Sequence, residues 1–183
     1  LRIKLLGITE IVNNELFERV HPCLVKKNTY IANVSGVMNA VILEGLPVGQ
    51  SVLQGEGAGP GPTSSALMSD FLSILRGNIK FPFGLPSNAR ENARIYNDKY
   101  YENSLYLRFE VNDKPGVLSQ ITKHLAKYKI SVQRLIQIPD NTKKKASIII
   151  ITHNVKENNS KKCLKSINSI KNIIKKPVLI RLF

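Results

Sequence analysis

The chain has 183 residues, 43% of them hydrophobic, with 27 Lys/Arg against 13 Asp/Glu and a formal net charge of +14. That is enough apolar material for one large or two small globular domains and too much for a disordered polyelectrolyte. Cys23 and Cys163 are too few and too far apart for a disulfide framework or a structural zinc site, so a reducing cytoplasm is expected, and no metal site.

No apolar run approaches the roughly 20 residues of a membrane-spanning helix, and the amino terminus lacks the regions of a signal peptide. The first residue is leucine, which points to a partial chain.

In chain order, Arg2 to Ile8 alternates weakly and is rich in β-forming residues. Leu16 to Lys26 again has strand character, with Pro22 expected to confine it to an edge or a bulge because it brings no N–H to a ladder. His21, just before it, reads as a structural or interface histidine rather than a base. Val37 to Leu43 and Val48 to Gln54 are further apolar runs, joined by a turn at Gly45 and Pro47.

These strands lead into Q-G-E-G-A-G-P-G-P-T-S-S-A-L-M-S-D, from Gln54 to Asp70, where Gly55, Gly57, Gly59 and Gly61 alternate. Such glycines let a backbone approach another group without a Cβ in the way, and the helix after them starts with unpaired N–H groups, so an anionic or polar guest is expected. Pro60 and Pro62 break G-x-G-x-x-G, and no Lys-Ser or Lys-Thr pair closes a P-loop. Glu56, between two glycines, reads as solvated.

A helix is expected from about Pro62 to Arg76, stopped by Gly77-Asn78. Ala66, Leu67, Phe71, Ile74 and Leu75 fall on one stripe that must bury itself against something. Residues 80–103 have no clean period and read as a linker with a short helix near Ala89 to Tyr96.

K-L-L-G-I (Lys4 to Ile8), H-P (His21, Pro22), N-V-S-G-V-M-N-A-V (Asn33 to Val41), E-G (Glu44, Gly45) and the glycine stretch stand in an order that resembles the carboxyl-terminal part of homoserine dehydrogenase. The resemblance implies a partial substrate and dimerisation domain over residues 1–79, its closing helix returning to a nucleotide-binding domain. It places the Rossmann unit, the acidic homoserine-binding residues and the proton-moving lysine outside this chain. No catalytic residue is therefore expected here, and the chain alone is expected to be inactive. Gly59 matches a family glycine whose backbone lies beside the nicotinamide end of NAD or NADP, and Ala58 and Gly57 share its loop. The implied reaction interconverts L-aspartate 4-semialdehyde and L-homoserine on the path to threonine, isoleucine and methionine.

Beyond residue 103 the charge changes: residues 1–103 carry ten Lys/Arg against nine Asp/Glu, and 104–183 carry seventeen against four. The lysines are scattered among asparagines and isoleucines and read as a solvated surface. Ser104 to Val111 alternates as a strand with Leu105, Leu107 and Phe109 on one face. Asp113-Lys114-Pro115-Gly116 starts a helix to about Tyr128, with Asp113 as the expected cap. Strands over Ile130 to Ile138 and Ala146 to Thr152 flank a turn at Asn141 to Lys145. A helix over Ser160 to Ile174 and a strand over Pro177 to Phe183 follow.

The order is βαββαβ, a ferredoxin-like module. Its D-x-P-G-V-L start, with I-S-V at Ile130 to Val132 and Gln133 and Gln137 nearby, resembles an ACT domain over residues 104–183, a family that senses small molecules, usually amino acids. The N–H groups of Gly116, Val117 and Leu118 and the helix dipole suit a carboxylate, and Asp113 suits an ammonium. An RNA-recognition module shares the βαββαβ order. It needs aromatics on its central strands, and Ala146 to Ile151 has none.

The expected fold class is α+β: a partial homoserine dehydrogenase domain, a linker over 80–103 and an ACT regulatory domain. Threonine is the effector implied by the resemblance and a homo-oligomer the implied state, with neither nucleic acid nor membrane as partner. A stand-alone amino-acid-binding regulatory subunit is the alternative.

Overall fold

The computed structural model describes residues 1–78, 84–140, 142 and 144–183. Residues 80–83 of the expected linker, and 141 and 143 of the expected turn, lie outside the described residues. In chain order the elements are β1 (Arg2–Val12), β2 (Glu15–Val25), α1 (Tyr30–Asn33), β3 (Met38–Gly45), β4 (Gly49–Glu56) and α2 (Pro60–Leu75). After 3₁₀ turns at Ser87–Ala89 and Asp98–Tyr100 come β5 (Glu102–Asn103), β6 (Leu105–Asn112), α3 (Val117–Lys127), β7 (Val132–Asp140) and β8 (Lys145–Thr152). β9 (Val155–Lys156), α4 (Glu157–Ile167) and β10 (Val178–Leu182) complete the chain.

Two compact units divide these elements: Leu1–Lys26 with Arg94–Phe183, and Lys27–Ala93. The first unit carries the expected βαββαβ order as β6-α3-β7-β8-α4-β10. Alternation decides its core. Leu105, Leu107, Phe109 and Val111 of β6 and Ala146, Ile148 and Ile150 of β8 point to one face, as period-2 strands require. Val117, Ile121 and Leu125 of α3 and Cys163 and Ile167 of α4 join them in one buried cluster.

The sheet does not stop at the module. Its order is β1-β2-β10-β6-β8-β7, because β10 pairs with β6 antiparallel on one side and with β2 in parallel on the other, through Arg181↔Cys23 and Leu182↔Leu24. β1 and β2 form a hairpin in continuous register from Arg2↔Val25 to Val12↔Glu15. Asn13 and Asn14 turn it with φ of 52° and 63°, a pair of left-handed residues that matches the twist of a two-residue hairpin loop.

Pro22 thus sits in a strand flanked on both sides, not in an edge strand. The parallel ladder reaches only Cys23 and Leu24, so next to Pro22 the second flank is unpaired and the missing N–H breaks no ladder there. The helix expected near Ala89 to Tyr96 does not form. Arg94 O accepts from Leu16 N–H at 2.7 Å and Tyr96 N–H donates to Leu16 O at 2.8 Å, which draws that segment beside β2. α4 begins at Glu157 and ends at Ile167, earlier at both ends than the Ser160 to Ile174 expectation.

The second unit holds the β3–β4 hairpin, in register from Met38↔Glu56 to Gly45↔Gly49, and the glycine loop that delivers α2. The stripe on α2 is left open: no residue of the helix is buried, and Leu67, Phe71, Ile74 and Leu75 are 56–67% exposed.

Candidate functional site

Two sites expected from the sequence can be located, one in each unit. In the second, the chain leaves β4 at Glu56, and Gly57 N–H donates to Val37 O at 2.9 Å, which extends the hairpin ladder by one step. A Cβ on Gly57 would lie 1.4 Å from Asn39 Nδ2, so no larger residue fits without moving that amide. Gly59 has φ 121° and ψ 160° and stands immediately before α2. That φ is strained for any L side chain. Thr63 N–H donates back to Gly59 O at 3.2 Å, which starts the helix.

Pro60 is the first residue of the helix, where a missing N–H costs no intrahelical bond. Gly57, Ala58, Gly59 and Glu56 are all exposed. The need for glycine falls on either side of Ala58: on Gly57, where Asn39 occupies the space of a side chain, and on Gly59, where φ is positive. What the arrangement offers a ligand is bare backbone at a helix start.

The first unit holds a cavity of about 390 Å³ at the start of α3, bordered by Asp113, Lys114, Gly116, Val117, Leu118 and Gln137 among others. The structure thus brings together Asp113, Gly116, Val117 and Leu118. Asp113 is not the helix cap. Gly116 holds that place in a left-handed conformation with φ 85°, and the Asp113 carboxylate instead accepts from Gln137 Nε2 at 3.3 Å. The reason is geometric: with Pro115 and Gly116 intervening, Asp113 is too far back to reach the first-turn N–H groups. Of the three N–H groups expected to be open, Val117's donates weakly to Lys114 O at 3.4 Å. Gln133 borders a different cavity, with His21 and Cys23.

One cluster had no counterpart in the sequence reading. Glu157, in the first turn of α4, is 2% exposed and receives Arg181 through Nε at 3.1 Å and through Nη2 as well. Arg19 Nη1 of β2 lies 3.5 Å away on Oε2, and Lys161 Nζ lies 3.6 Å away on Oε1. Burial pushes this carboxyl up, but the Arg181 hydrogen bond and the charges of Arg181, Arg19 and Lys161 outweigh it and hold Glu157 below the usual carboxylate range.

Arg19 also lies over the Phe17 and Tyr101 rings, at 4.9 and 5.6 Å from their centroids, and those rings stack at 3.8 Å. The Tyr101 hydroxyl donates to both Glu10 oxygens at 2.8 and 2.9 Å; burial, then that bond and charge, push it up to about 12. No local signal ties Arg19 to Glu157, which stand 138 residues apart on β2 and α4. His21 Nδ1 lies 3.1 Å from Pro22 O and 3.2 Å from Cys23 Sγ.

Among the described residues, no group of three or more His, Cys, Asp or Glu is arranged to hold a metal, and no helix is long and apolar enough to cross a membrane.

Comparison with known proteins covers the whole chain. Residues 1–72 match the family model of homoserine dehydrogenase, and residues 105–172 match that of the ACT domain. A homoserine dehydrogenase of Neisseria gonorrhoeae is 34% identical over 99% of this chain and 43% of its own length, and one of Helicobacter pylori 33% identical over 98% and 42%. The crystal structure of a homoserine dehydrogenase from Thiobacillus denitrificans superposes with a TM-score of 0.86 at 34% identity, over 100% of this chain and 42% of that one.

The chain therefore spans less than half the length of the relatives it matches. With both family models matched in order and the mixed α/β fold shared, this chain belongs to the homoserine dehydrogenase family, as its carboxyl-terminal portion with an ACT domain.

Proposed function

We propose that this chain is the carboxyl-terminal part of an enzyme that interconverts L-aspartate 4-semialdehyde and L-homoserine with NAD or NADP in the cytoplasm, and that its ACT domain senses threonine. The observation that carries the reading is the match to homoserine dehydrogenases along the whole chain, glycine loop included. The loop fits a nicotinamide cofactor by one local test: at Gly59 the φ of 121° disfavours every side chain, which leaves the backbone bare to a flat ring. Gly57, Ala58 and Gly59 would line that end of the cofactor. The cofactor, when bound, supplies hydride transfer, and this chain contributes shape and exposed peptide groups rather than a proton.

The acid–base and homoserine-binding side chains belong, in this reading, to a part of the enzyme outside residues 1–183. We assign residues 1–79 to the substrate and dimerisation domain, 80–103 to a linker and 104–183 to the regulatory domain. The exposed stripe of α2 supports a covering partner such as the nucleotide-binding domain, and the open outer face of β1, with Ile3, Leu5 and Ile11 60–72% exposed, supports a homo-oligomer. At the start of α3, Gly116 and Leu118 would receive the effector carboxylate and Asp113 its ammonium, with Gln137 holding Asp113 in place.

The deciding experiment expresses the coding sequence with and without whatever precedes Leu1 and assays homoserine oxidation: activity of the longer protein alone supports the reading, and inactivity of both sinks it. Calorimetry of the 183-residue chain with a panel of amino acids tests the effector. A flat titration with threonine refutes that part. The regulatory-subunit reading, favoured by the cavity at α3, is what remains if threonine binds and no dehydrogenase activity appears.

A further inference from the structure

Asn39 of β3 pairs across the ladder with Gly55, two residues before Gly57 on the way into the loop. Its side chain is not turned away from that loop. The amide nitrogen lies 1.4 Å from where a Gly57 Cβ would be, with Cγ at 2.7 Å and Cβ at 3.4 Å. At Gly55 and Gly61 the corresponding space is open, so the fit at Gly57 is a match to one neighbour rather than general crowding. That neighbour stands on a hairpin held by a continuous antiparallel ladder, while the loop itself is tied only at its ends, by Gly57 N–H to Val37 O and by Thr63 N–H to Gly59 O. Asn39 fills the space beside the first of those ties, at Gly57.

We propose that Asn39 is a positioning residue for the cofactor-facing backbone. By filling the space of the absent Gly57 side chain it fixes the loop against β3 and so sets where the Ala58–Gly59 peptide meets the nicotinamide ring. This rests on the cofactor reading of the loop given above. Removing the amide leaves the loop loose, and the cofactor must then order it on binding, a cost that falls on affinity rather than on the chemical step.

The test is a cycle of Asn39→Ala, Gly57→Ala and the double variant, read as cofactor KM and kcat in the intact dehydrogenase. Hydrogen-exchange protection of the residue-57 N–H in the 183-residue chain is the second readout. Asn39→Ala is expected to raise the cofactor KM by about fivefold with kcat within about twofold, the split that loss of uniform binding gives. Gly57→Ala is expected to raise it about tenfold, and most of that effect should vanish in the Asn39→Ala background, where the new Cβ has room. An unchanged KM in Asn39→Ala, or effects that simply add, overturns the proposal. If the intact wild-type protein has no homoserine dehydrogenase activity, the cofactor reading fails instead. Exchange then decides the positioning: faster exchange at residue 57 in Asn39→Ala upholds it, and unchanged protection refutes it.

Discussion

At the scale of single residues, Glu157 is the group whose surroundings have the clearest consequence. Its carboxylate is nearly inaccessible and meets Arg181, Arg19 and Lys161, and its pKa is held below the ordinary 4.5. Because the folded pKa is depressed, the stability it contributes is complete above 4.5 and is lost as pH falls below that value toward the folded pKa. Glu157→Gln should therefore destabilise the 183-residue chain by roughly 2 kcal/mol near neutrality, less than the loss typical of fully buried pairs because Arg181 and Lys161 reach solvent.

Urea unfolding from pH 7 down to 3 checks both statements: the gap between wild type and variant should close below 4.5, and a constant gap would contradict the assignment. Tyr101 makes the opposite case. Its pKa is raised to about 12, so an ultraviolet titration should show a tyrosine ionising near that pH, and Tyr101→Phe should remove that late step. An unaltered high-pH limb would mean that Tyr101 is not the group titrating there.

Individual elements differ in how far their sequence predicts their surroundings. β6 and β8 bury one face as their alternation requires, and α3 buries Val117, Ile121 and Leu125 as its 3.6-residue period requires. α2 has an apolar stripe of the same kind and no partner among the described residues of its unit. Phe109→Ala in β6 should cost about 3–5 kcal/mol, the usual range for emptying a packed aromatic site.

Leu67→Ala and Phe71→Ala in α2 should each change the 183-residue chain by less than about 0.5 kcal/mol, since these residues are already more than half exposed. Thermal or chemical denaturation of the three variants makes the comparison, and a large loss from either α2 change would mean that the stripe is covered. The elements misplaced by sequence reasoning are those ruled by distant neighbours. The segment before Tyr96 pairs with Leu16 instead of coiling, and Asp113 turns to Gln137 instead of capping α3.

For the whole molecule, the charge of +14 raises the question of nucleic acid most sharply. β8, whose strand would carry the stacking rings of an RNA-recognition module, places Lys145, Ser147, Ile149 and Ile151 on the face away from the core, none of them aromatic. RNA should therefore associate only through lysine–phosphate attraction, tight in dilute buffer and lost near physiological salt as counterion release weakens. A binding isotherm that survives 150 mM salt with sequence preference would overturn this.

Neighbours along the chain settle the alternation of β6 and β8, the period of α3, the presence of the glycine loop and the order of motifs that marks the family. Gly59 was legible because its requirement is local, a φ no side chain favours. Tertiary structure alone decided that β10 pairs with β2, joining the first hairpin to the βαββαβ sheet, and that Arg19 meets Glu157 across 138 residues. Strand partners are chosen by hydrogen bonds between backbones that all sequences share, so pairing is fixed only when the whole sheet assembles.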